Sequence, residues 1–421
     1  MKSQFSLQNG VMHCEQVPLP LIAEQVGTPA YVYSTASMKN QVLALRDALE
    51  PTGAPLIAYA VKANPNAAIL ATFAAEGLGA DVVSIGEYVR ARAAGISPEK
   101  IVFSGVGKTA DEMAAALDGG LFQFNVESAE EAEMLSQVAQ AAGKQAPAAL
   151  RINPDVEAGS HPKISTGAAR NKFGISMNQA LQIFGTQNAL PGLDLRGVAV
   201  HIGSQLTNLT VLETAFTKIG DLVSELRGRG HEIATVDLGG GLGINYDPQD
   251  ALAPSPADYG AMIRRVSASW GVRLIVEPGR LLVGNAGVLL SRVIRVKAGA
   301  VHPFVILDCG MNDLMRPALY DAWHAIHAVN PTGAEMMADI VGPVCETGDT
   351  FALGRIIDRV DAGSLVVIGQ AGAYAATMAS TYNSRPLISE VMINGEDWAI
   401  VRERETINTY LETPPLPPWL R

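Results

Sequence analysis

Eight short apolar runs, most of them rich in β-branched residues, recur between residues 56 and 280 and are separated by stretches with helical spacing. Strands that are apolar along their whole length and alternate with helices are typical of a parallel sheet covered by helices. Eight such units predict a closed (β/α)8 barrel, with an open doubly wound sheet as the alternative. The runs lie at 56–62, 79–84, 101–105, 121–126, 147–153, 195–204, 234–241 and 274–280.

The clearest helix between these runs is predicted over residues 127–143. Ser128 can cap its start, Glu131 lies three residues further on, and Gly143 can end it. A serine followed three residues later by a glutamate is the pattern of a capping box. The segment follows the fourth apolar run, as an alternation of strand and helix requires.

After Arg280 the pattern changes to strands joined by turns, with little helix between them. The stretches SRVIRVKAG, HPFVILDCG, DRVDAGSLVVIGQ and EVMINGEDWAIVRER therefore predict a second, all-β domain. The first 34 residues also have the pattern of strand and turn, and we expect them to pack with that domain. The predicted division is an N-terminal strand segment (1–34), a (β/α)8 barrel (35–282) and a C-terminal β domain (283–421).

The composition excludes several classes of function. Lys and Arg together number 31 and Asp and Glu 42, so the net charge is −11 at pH 7. An acidic chain with no basic run is poorly suited to nucleic acid or an anionic membrane, and no apolar run is long enough for a transmembrane helix. The three widely spaced cysteines, with an N-terminus that lacks the apolar core of a secretion signal, favour the cytoplasm. We expect no metal site.

Polar side chains follow the predicted strands at the points where the strands end. Because the carboxyl ends of all eight strands meet at one rim of a parallel barrel, we expect these side chains to converge there and to form the active site. They are Lys62 after the first run, Asp81, Ser84 and Glu87 around the second, His201, Ser204 and Gln205 at the sixth, Gly239 to Gly243 at the seventh, and Glu277 and Arg280 at the eighth.

The seventh run ends in glycines that suit a phosphate group. Gly239, Gly240 and Gly241 leave backbone N–H groups unshielded, and loops after strands 7 and 8 of such barrels frequently bind phosphate. A tight turn with no ligand is the alternative, because short glycine motifs are unspecific. The position after the seventh strand favours phosphate, to which the hydroxyl group of Ser204 can add a donor.

Lys62 stands directly after an apolar run, where an ammonium group is unexpected. A lysine at a strand end usually extends to solvent. An enzyme can instead use a buried amine, because burial favours the neutral form that attacks a carbonyl group. A phosphate site and an amine of this kind at one rim together suggest pyridoxal 5'-phosphate (PLP), held as a Schiff base.

Two further rim residues fit this cofactor. An acidic partner at the pyridine nitrogen of PLP keeps that nitrogen protonated, which makes Glu277 a candidate. The alternative for Glu277 is an ion pair with Arg280 that stabilises the rim. His201 can lie against the face of the ring, and its alternative is an ordinary hydrogen-bonded histidine of the core.

The motifs YAVKAN, HIGSQ, GGGLG and EPGR, in this order, resemble those of the PLP-dependent decarboxylases of the alanine-racemase-like fold, the class-II ornithine, lysine and arginine decarboxylase family. The resemblance covers nearly the whole chain and implies a barrel followed by a β domain. One branch of this family converts meso-2,6-diaminopimelate to L-lysine and CO2 in bacterial lysine biosynthesis, a carboxy-lyase reaction. Similarity to that branch is found in HPKISTGAARNKFGIS (161–176), MNDLMRPALYDAWH (311–324), GPVCETGD (342–349) and MASTYNSRP (378–386).

The resemblance also implies roles for individual residues. Lys62 would hold PLP covalently, His201 would stack on its ring, and Glu277 would bind its pyridine nitrogen. The remaining cofactor contacts would come from Asp81, Ser204, Gly239, Gly240, Gly241, Gly279, Arg280 and Tyr374. The substrate would be bound by Arg280, Arg316 and Tyr320 at its distal carboxylate, by Glu346 at its distal amino group, and by Tyr374. Cys345 would donate a proton after CO2 leaves. In this family the Cys–Glu segment reaches the cofactor of the partner subunit, so the resemblance implies a homodimer with shared active sites.

Two alternative functions stay open. A related decarboxylase for ornithine or arginine shares the cofactor residues, although a carboxylate clamp made of Arg316 and Tyr320 argues against it. A catalytically inactive PLP-binding homologue is the second alternative. The presence of Lys62, Glu277 and Cys345 argues against that one, because inactive homologues typically lose one such residue.

Overall fold

A computed structural model describes residues 4–157, 162–164, 166–167, 171–249, 252–411 and 417–420. The chain divides into two compact units. One is Met38–Gly284, and the other joins Met1–Ser37 to Asn285–Arg421.

The described residues form twenty strands and eleven helices. The strands are β1 (Phe5–Gln8), β2 (Val11–Cys14), β3 (Val17–Pro18), β4 (Ala30–Ser34), β5 (Leu56–Ala60), β6 (Gly79–Val82), β7 (Ile101–Phe103), β8 (Gln123–Val126), β9 (Ala146–Ile152), β10 (Leu193–Val200), β11 (Thr235–Asp237), β12 (Arg273–Val276), β13 (Gly287–Lys297), β14 (Phe304–Leu307), β15 (Ile326–Ala328), β16 (Glu335–Val341), β17 (Thr350–Asp358), β18 (Leu365–Ile368), β19 (Ser389–Asn394) and β20 (Asp397–Arg402). The helices are α1 (Leu19–Gln25), α2 (Thr35–Leu49), α3 (Ala67–Ala75), α4 (Ile85–Ala93), α5 (Ala110–Asp118), α6 (Ala129–Ala141), α7 (Met177–Gly185), α8 (Leu209–Gly228), α9 (Pro256–Ser267), α10 (Arg280–Val283) and α11 (Arg316–Tyr320). Within these described ranges, no helix combines the length and the apolarity needed to cross a membrane.

The first unit is a closed barrel of the eight strands β5 to β12, which confirms the barrel and excludes the open sheet. The strands are parallel and follow one another in chain order. The barrel closes where β12 pairs with β5, with Ile275 opposite Leu56 and Val276 opposite Ile57.

The barrel strands are apolar because both of their faces are covered. Every residue of β5, β6, β7, β8 and β11 is buried. Leu56, Ala58, Val102 and Ile275 form an apolar cluster drawn from β5, β7 and β12. Asp81 and Asp237 enter this interior towards the carboxyl ends of their strands, and this placement positions the site. Two further buried polar residues, Gln123 and Thr235, begin their strands and satisfy each other, since the Thr235 hydroxyl group donates to the Gln123 amide oxygen at 2.7 Å.

Side-chain caps begin most of the helices around the barrel. Ser128 accepts a hydrogen bond from the backbone N–H of Glu131 at 3.1 Å, so the helix predicted after the fourth run is confirmed as α6. Ser84 caps α4 in the same manner, and Thr109 forms a full capping box at α5. Each cap satisfies orphan N–H groups of a first helical turn.

The second unit is mainly sheet. Its main path runs β17–β16–β14–β13–β4–β19–β20, and β18 pairs with β13 and β15. Strand β4 from the N-terminal segment lies between β13, to which it is antiparallel, and β19, to which it is parallel. The interpretation of residues 1–34 as strand and turn alone is wrong at Leu19–Gln25, which form α1. Its proline lies in the first helical turn, where proline is tolerated, and Leu19, Ile22 and Ala23 share a buried helical face.

Candidate active site

Lys62 lies in a short 3-10 turn, Val61–Ala63, immediately after β5. Its Nζ donates to Oδ2 of Asp81 at 2.6 Å; the lysine side chain is 34% exposed and the aspartate side chain is fully buried. The lysine therefore neither extends freely to solvent nor lies unpaired in the core. A carboxylate at this distance favours the ammonium form and opposes the effect of burial.

Three carboxyl groups converge inside the barrel at the same rim. Asp81, Asp237 and Glu277 are all buried, although they come from different strand ends. Asn125 links two of them, because its Nδ2 donates to Oδ2 of Asp237 at 2.9 Å and to Oε1 of Glu277 at 3.3 Å. The hydroxyl group of Ser104 also donates to Glu277, at 3.3 Å.

Burial raises pKa values within this carboxyl cluster. Burial raises the pKa of Glu277 well above its ordinary value, and the negative charges of Asp237 and Asp81 raise it further, while Lys62 opposes them. Burial also raises the pKa of Asp237, to which Glu277 is hydrogen-bonded. Two buried carboxyl groups in contact cannot both ionise readily. The contact between these two buried carboxyl groups therefore favours a proton shared at the pair.

His201, directly after β10, is uncharged. Desolvation lowers its pKa well below the usual range, and the cations of Arg151 and Lys62 lower it further. Its Nδ1 accepts the backbone N–H of Gly240 at 3.1 Å. Because Nδ1 is an acceptor, the ring carries its hydrogen on Nε2.

Glycine is required at the positions after β11 because neighbouring backbone atoms leave no room for a Cβ atom. A Cβ atom at Gly239, Gly240 or Gly241 would overlap the carbonyl oxygen of Val200, Glu277 or Gly203 respectively. Two of the three amides already have partners within the barrel, since Gly239 N–H donates to Asp237 Oδ1 at 2.9 Å and Gly240 N–H to His201. The N–H group of Gly241 donates to none of the described residues.

Arg280, which follows the eighth barrel strand, is hydrogen-bonded to Ser204, which follows the sixth. It is the first residue of α10, after the N-cap Gly279, and it is buried. Its Nη2 donates to the Ser204 hydroxyl group at 3.2 Å, and its Nη1 donates to the hydroxyl group of Tyr246, over whose ring the guanidinium lies. Neither of these contacts is an ion pair with Glu277.

In the second unit, Arg316 begins α11 and is buried, whereas Tyr320 at the end of the same helix is half-buried. Nη1 of Arg316 lies 2.9 Å from Nε2 of His324. Tyr374 is half-buried and has a φ of 54°, a left-handed conformation that is rare for an aromatic residue. Such strain is found most often where a side chain is held for a function.

Cys345 and Glu346 are exposed on a loop that Asp349 organises. The carboxylate of Asp349 accepts the backbone N–H groups of Met311 and Val344, both at 2.6 Å. Glu346 accepts a hydrogen bond from the hydroxyl group of Tyr382 at 3.0 Å. The other two thiols, of Cys14 and Cys309, are buried, and burial raises their pKa well above the ordinary value.

Several polar residues at the barrel rim and around Arg316 and Cys345 in the second unit were not identified from the sequence. They are Ser104, Asn125, Arg151, Asp237, Tyr246, His324, Asp349 and Tyr382. Asn125 and Asp237 did carry a signal, because each is a polar residue inside a run that the sequence predicted to be a buried strand. The stretch 161–176, used above for the resemblance, lies partly outside the described residues.

Comparisons with known proteins agree with the geometry. Residues 35–284 match the family model described as the pyridoxal-binding domain of pyridoxal-dependent decarboxylases. The chain is 53% identical to diaminopimelate decarboxylase of Zymomonas mobilis, over 99% of both chains. It resembles solved diaminopimelate decarboxylases in complex with L-lysine from M. jannaschii (TM-score 0.94, 35% identity, 99% of both chains) and Helicobacter pylori (TM-score 0.89, 38% identity, 93% of this chain and 98% of that one).

The chain therefore belongs to the pyridoxal-dependent decarboxylases, which confirms the resemblance in the sequence motifs. PLP is the cofactor of this family, and the barrel residues fit it. A half-buried primary amine, a buried carboxyl group with a raised pKa and glycines at which a Cβ would overlap neighbouring backbone all lie at one rim. In addition, Oδ1 of Asp81 is buried and has no hydrogen-bond partner among the described residues.

Proposed function

We propose that the chain catalyses the PLP-dependent decarboxylation of meso-2,6-diaminopimelate to L-lysine and CO2, the last step of bacterial lysine biosynthesis. The observation that carries the proposal is the 53% identity to a diaminopimelate decarboxylase along 99% of both chains. Coverage this complete includes both the barrel and the β unit. Of the proposed substrate residues, Arg280 belongs to the barrel unit, and Arg316, Tyr320, Glu346 and Tyr374 belong to the β unit.

The barrel residues hold the cofactor. When bound, PLP supplies an electron-withdrawing ring that stabilises the negative charge left on the substrate's α-carbon after CO2 departs. Lys62 would bind it covalently, and Asp81 keeps the lysine amine at the strand end. The Gly241 amide and the Ser204 hydroxyl group would serve as donors to its phosphate. Gly239, Gly240 and Gly279 would leave room for it, and Tyr374 would give a further contact, as the family resemblance implies.

Glu277 and His201 set the charge around the ring of the cofactor. Burial, with the negative charges of Asp237 and Asp81, raises the pKa of Glu277. Glu277 would bind the pyridine nitrogen of the cofactor and hold a proton there. His201 is neutral, so it presents an uncharged aromatic face for stacking. It does not compete with Glu277 as a proton donor, because its pKa is lowered and that of Glu277 is raised.

The substrate residues match the charges of a diamino diacid. The chain has a net charge of −11, so a substrate with two carboxylates needs cations placed locally. Arg280 and Arg316 provide planar guanidinium groups that can bind a carboxylate through two N–H bonds. Tyr320 and Tyr374 add hydroxyl groups, and the Glu346 carboxylate binds the distal ammonium group.

Cys345 is the proton donor to the α-carbon after CO2 leaves. It is the exposed thiol of the chain, and Asp349 fixes the loop on which it lies. Cys14 and Cys309 are buried and serve as controls.

A substrate panel tests the proposal directly. Release of CO2 should be measured from meso-diaminopimelate, L-lysine, L-ornithine and L-arginine at equal concentrations. We expect the first to be the main substrate; preferred release from ornithine or arginine would identify a basic amino-acid decarboxylase, and no release from any would identify an inactive homologue.

Borohydride reduction tests the covalent role of Lys62, because it should fix PLP to that residue. Attachment to any other side chain would contradict the assignment. The homodimer with shared active sites and the cytoplasmic location stay predictions.

A further inference from the structure

His324 lies between Arg316 and the backbone of the β unit. The residue is 1% exposed, and it follows α11 by a short connection. Its Nε2 lies 2.9 Å from Nη1 of Arg316, and its Nδ1 lies 2.7 Å from the carbonyl oxygen of Gly369. Both ring nitrogens are therefore in hydrogen bonds.

The partners determine which ring nitrogen carries the hydrogen. A carbonyl oxygen can only accept, so Nδ1 of His324 must be the donor to Gly369. A guanidinium can only donate, so Nε2 must be the acceptor from Arg316. Only one neutral form of the imidazole satisfies both partners. A ring rotated by half a turn would lose both hydrogen bonds.

The backbone of His324 is held as well. Nη1 of Arg355 donates to the carbonyl oxygen of His324 at 3.0 Å, and the Arg355 guanidinium lies 4.3 Å from the ring centre of Trp323. The imidazole is thus a rigid acceptor with a fixed direction. A flexible arginine side chain loses conformational freedom when it binds a carboxylate, and a partner that orders it beforehand reduces that loss.

We propose that His324 is a positioning residue that orients the Arg316 guanidinium for the distal carboxylate of the substrate. This inference rests on the proposed function, in which Arg316 binds that carboxylate. His324 itself touches neither substrate nor cofactor in this role. Its acceptor nitrogen, and not merely its volume, is what the site requires.

Two substitutions distinguish the role of Nδ1 of His324 from the role of Nε2. In His324→Asn the amide nitrogen can replace Nδ1 as donor to Gly369, but no atom replaces Nε2. In His324→Gln the amide oxygen can replace Nε2 as acceptor from Arg316. Both side chains are neutral and polar, so each variant is the control for the other.

The measurement is kcat and KM for CO2 release from meso-diaminopimelate by the PLP-loaded enzyme. We expect His324→Asn to raise KM about tenfold, which corresponds to about 1.4 kcal/mol, with kcat little changed. We expect His324→Gln to stay close to the wild type. In an Arg316→Lys background, His324→Asn should have little further effect, because interacting residues are not additive.

Each outcome decides between the proposals. Wild-type enzyme that releases no CO2 from the diacid would overturn the proposed function and the role of His324 with it. If the wild-type enzyme is active, two results would overturn the His324 role alone. One is a KM in His324→Asn that equals the wild-type KM. The other is a rise in KM caused by His324→Asn that is as large in the Arg316→Lys background as in the wild type. Should His324→Asn not fold, His324→Gln carries the test: a tenfold higher KM there would contradict the acceptor role.

Discussion

Lys108 and Lys144 form ion pairs of similar length in very different surroundings. Nζ of Lys108 lies 2.7 Å from Glu131 Oε1, with the two side chains 1% and 8% exposed. Nζ of Lys144 lies 2.9 Å from Asp118 Oδ1, with side chains 41% and 88% exposed. Because the distances are alike, the same substitution at both lysines isolates the effect of burial on the free energy of unfolding.

Lys108→Met should destabilise the fold by about 3–5 kcal/mol, the usual range when one partner of a buried pair is removed. The variant leaves the Glu131 carboxylate buried. It also leaves the carbonyl oxygens of Gly105 and Asn125 without the donor that Lys108 supplies at 2.7 Å to each. Lys144→Met should change the free energy of unfolding little, because exposed ion pairs contribute little.

Urea denaturation at a fixed PLP concentration measures both variants, and pH gives a second test. Burial raises the pKa of Glu131, and Lys108 opposes this, so the pKa rises further in Lys108→Met. When the pKa of a carboxyl group is raised in the folded state, the free energy of unfolding of the protein falls as pH rises through that pKa. The defect of Lys108→Met should therefore shrink as pH falls, and Glu131→Gln should relieve part of it. Equal effects of Lys108→Met and Lys144→Met would refute this reasoning.

Three further predictions concern the site. Cys345→Ala should slow turnover severalfold or more without changing the absorption spectrum of bound PLP, whereas Cys309→Ala should leave turnover unaffected. Equal turnover rates of Cys345→Ala and the wild type in stopped-flow assays would contradict the role of Cys345. Because the pKa of Glu277 is raised, the stability of the PLP-free protein should fall as pH rises through that pKa, and Glu277→Gln should flatten this dependence in urea titrations at several pH values. Gly240→Ala should weaken PLP binding at least tenfold in equilibrium titrations, because its Cβ would overlap the carbonyl oxygen of Glu277; wild-type affinity would show that the loop can relax.

The order of apolar runs was enough to predict the barrel, because a strand covered on both faces must be apolar throughout. It also placed Lys62, His201 and Glu277 at one rim, since the carboxyl ends of parallel strands meet there. The motifs around these residues were enough to indicate the family and its cofactor. Local pattern failed at α1, because a segment expected to be strand and turn forms a short helix with a proline in its first turn.

Tertiary structure alone decided which polar groups are partners and which carry protons. Asn125 and Asp237 are 112 residues apart in the chain and meet only because the barrel closes. The raised pKa of Glu277 and the lowered pKa of His201 depend on burial and on charges from other strands, which no local pattern encodes. The sequence by itself thus determined the barrel, its rim and the types of group found there. Hydrogen-bond partners and charge states were decided by the three-dimensional environment, because desolvation and electrostatic interactions depend on distances that chain order does not specify.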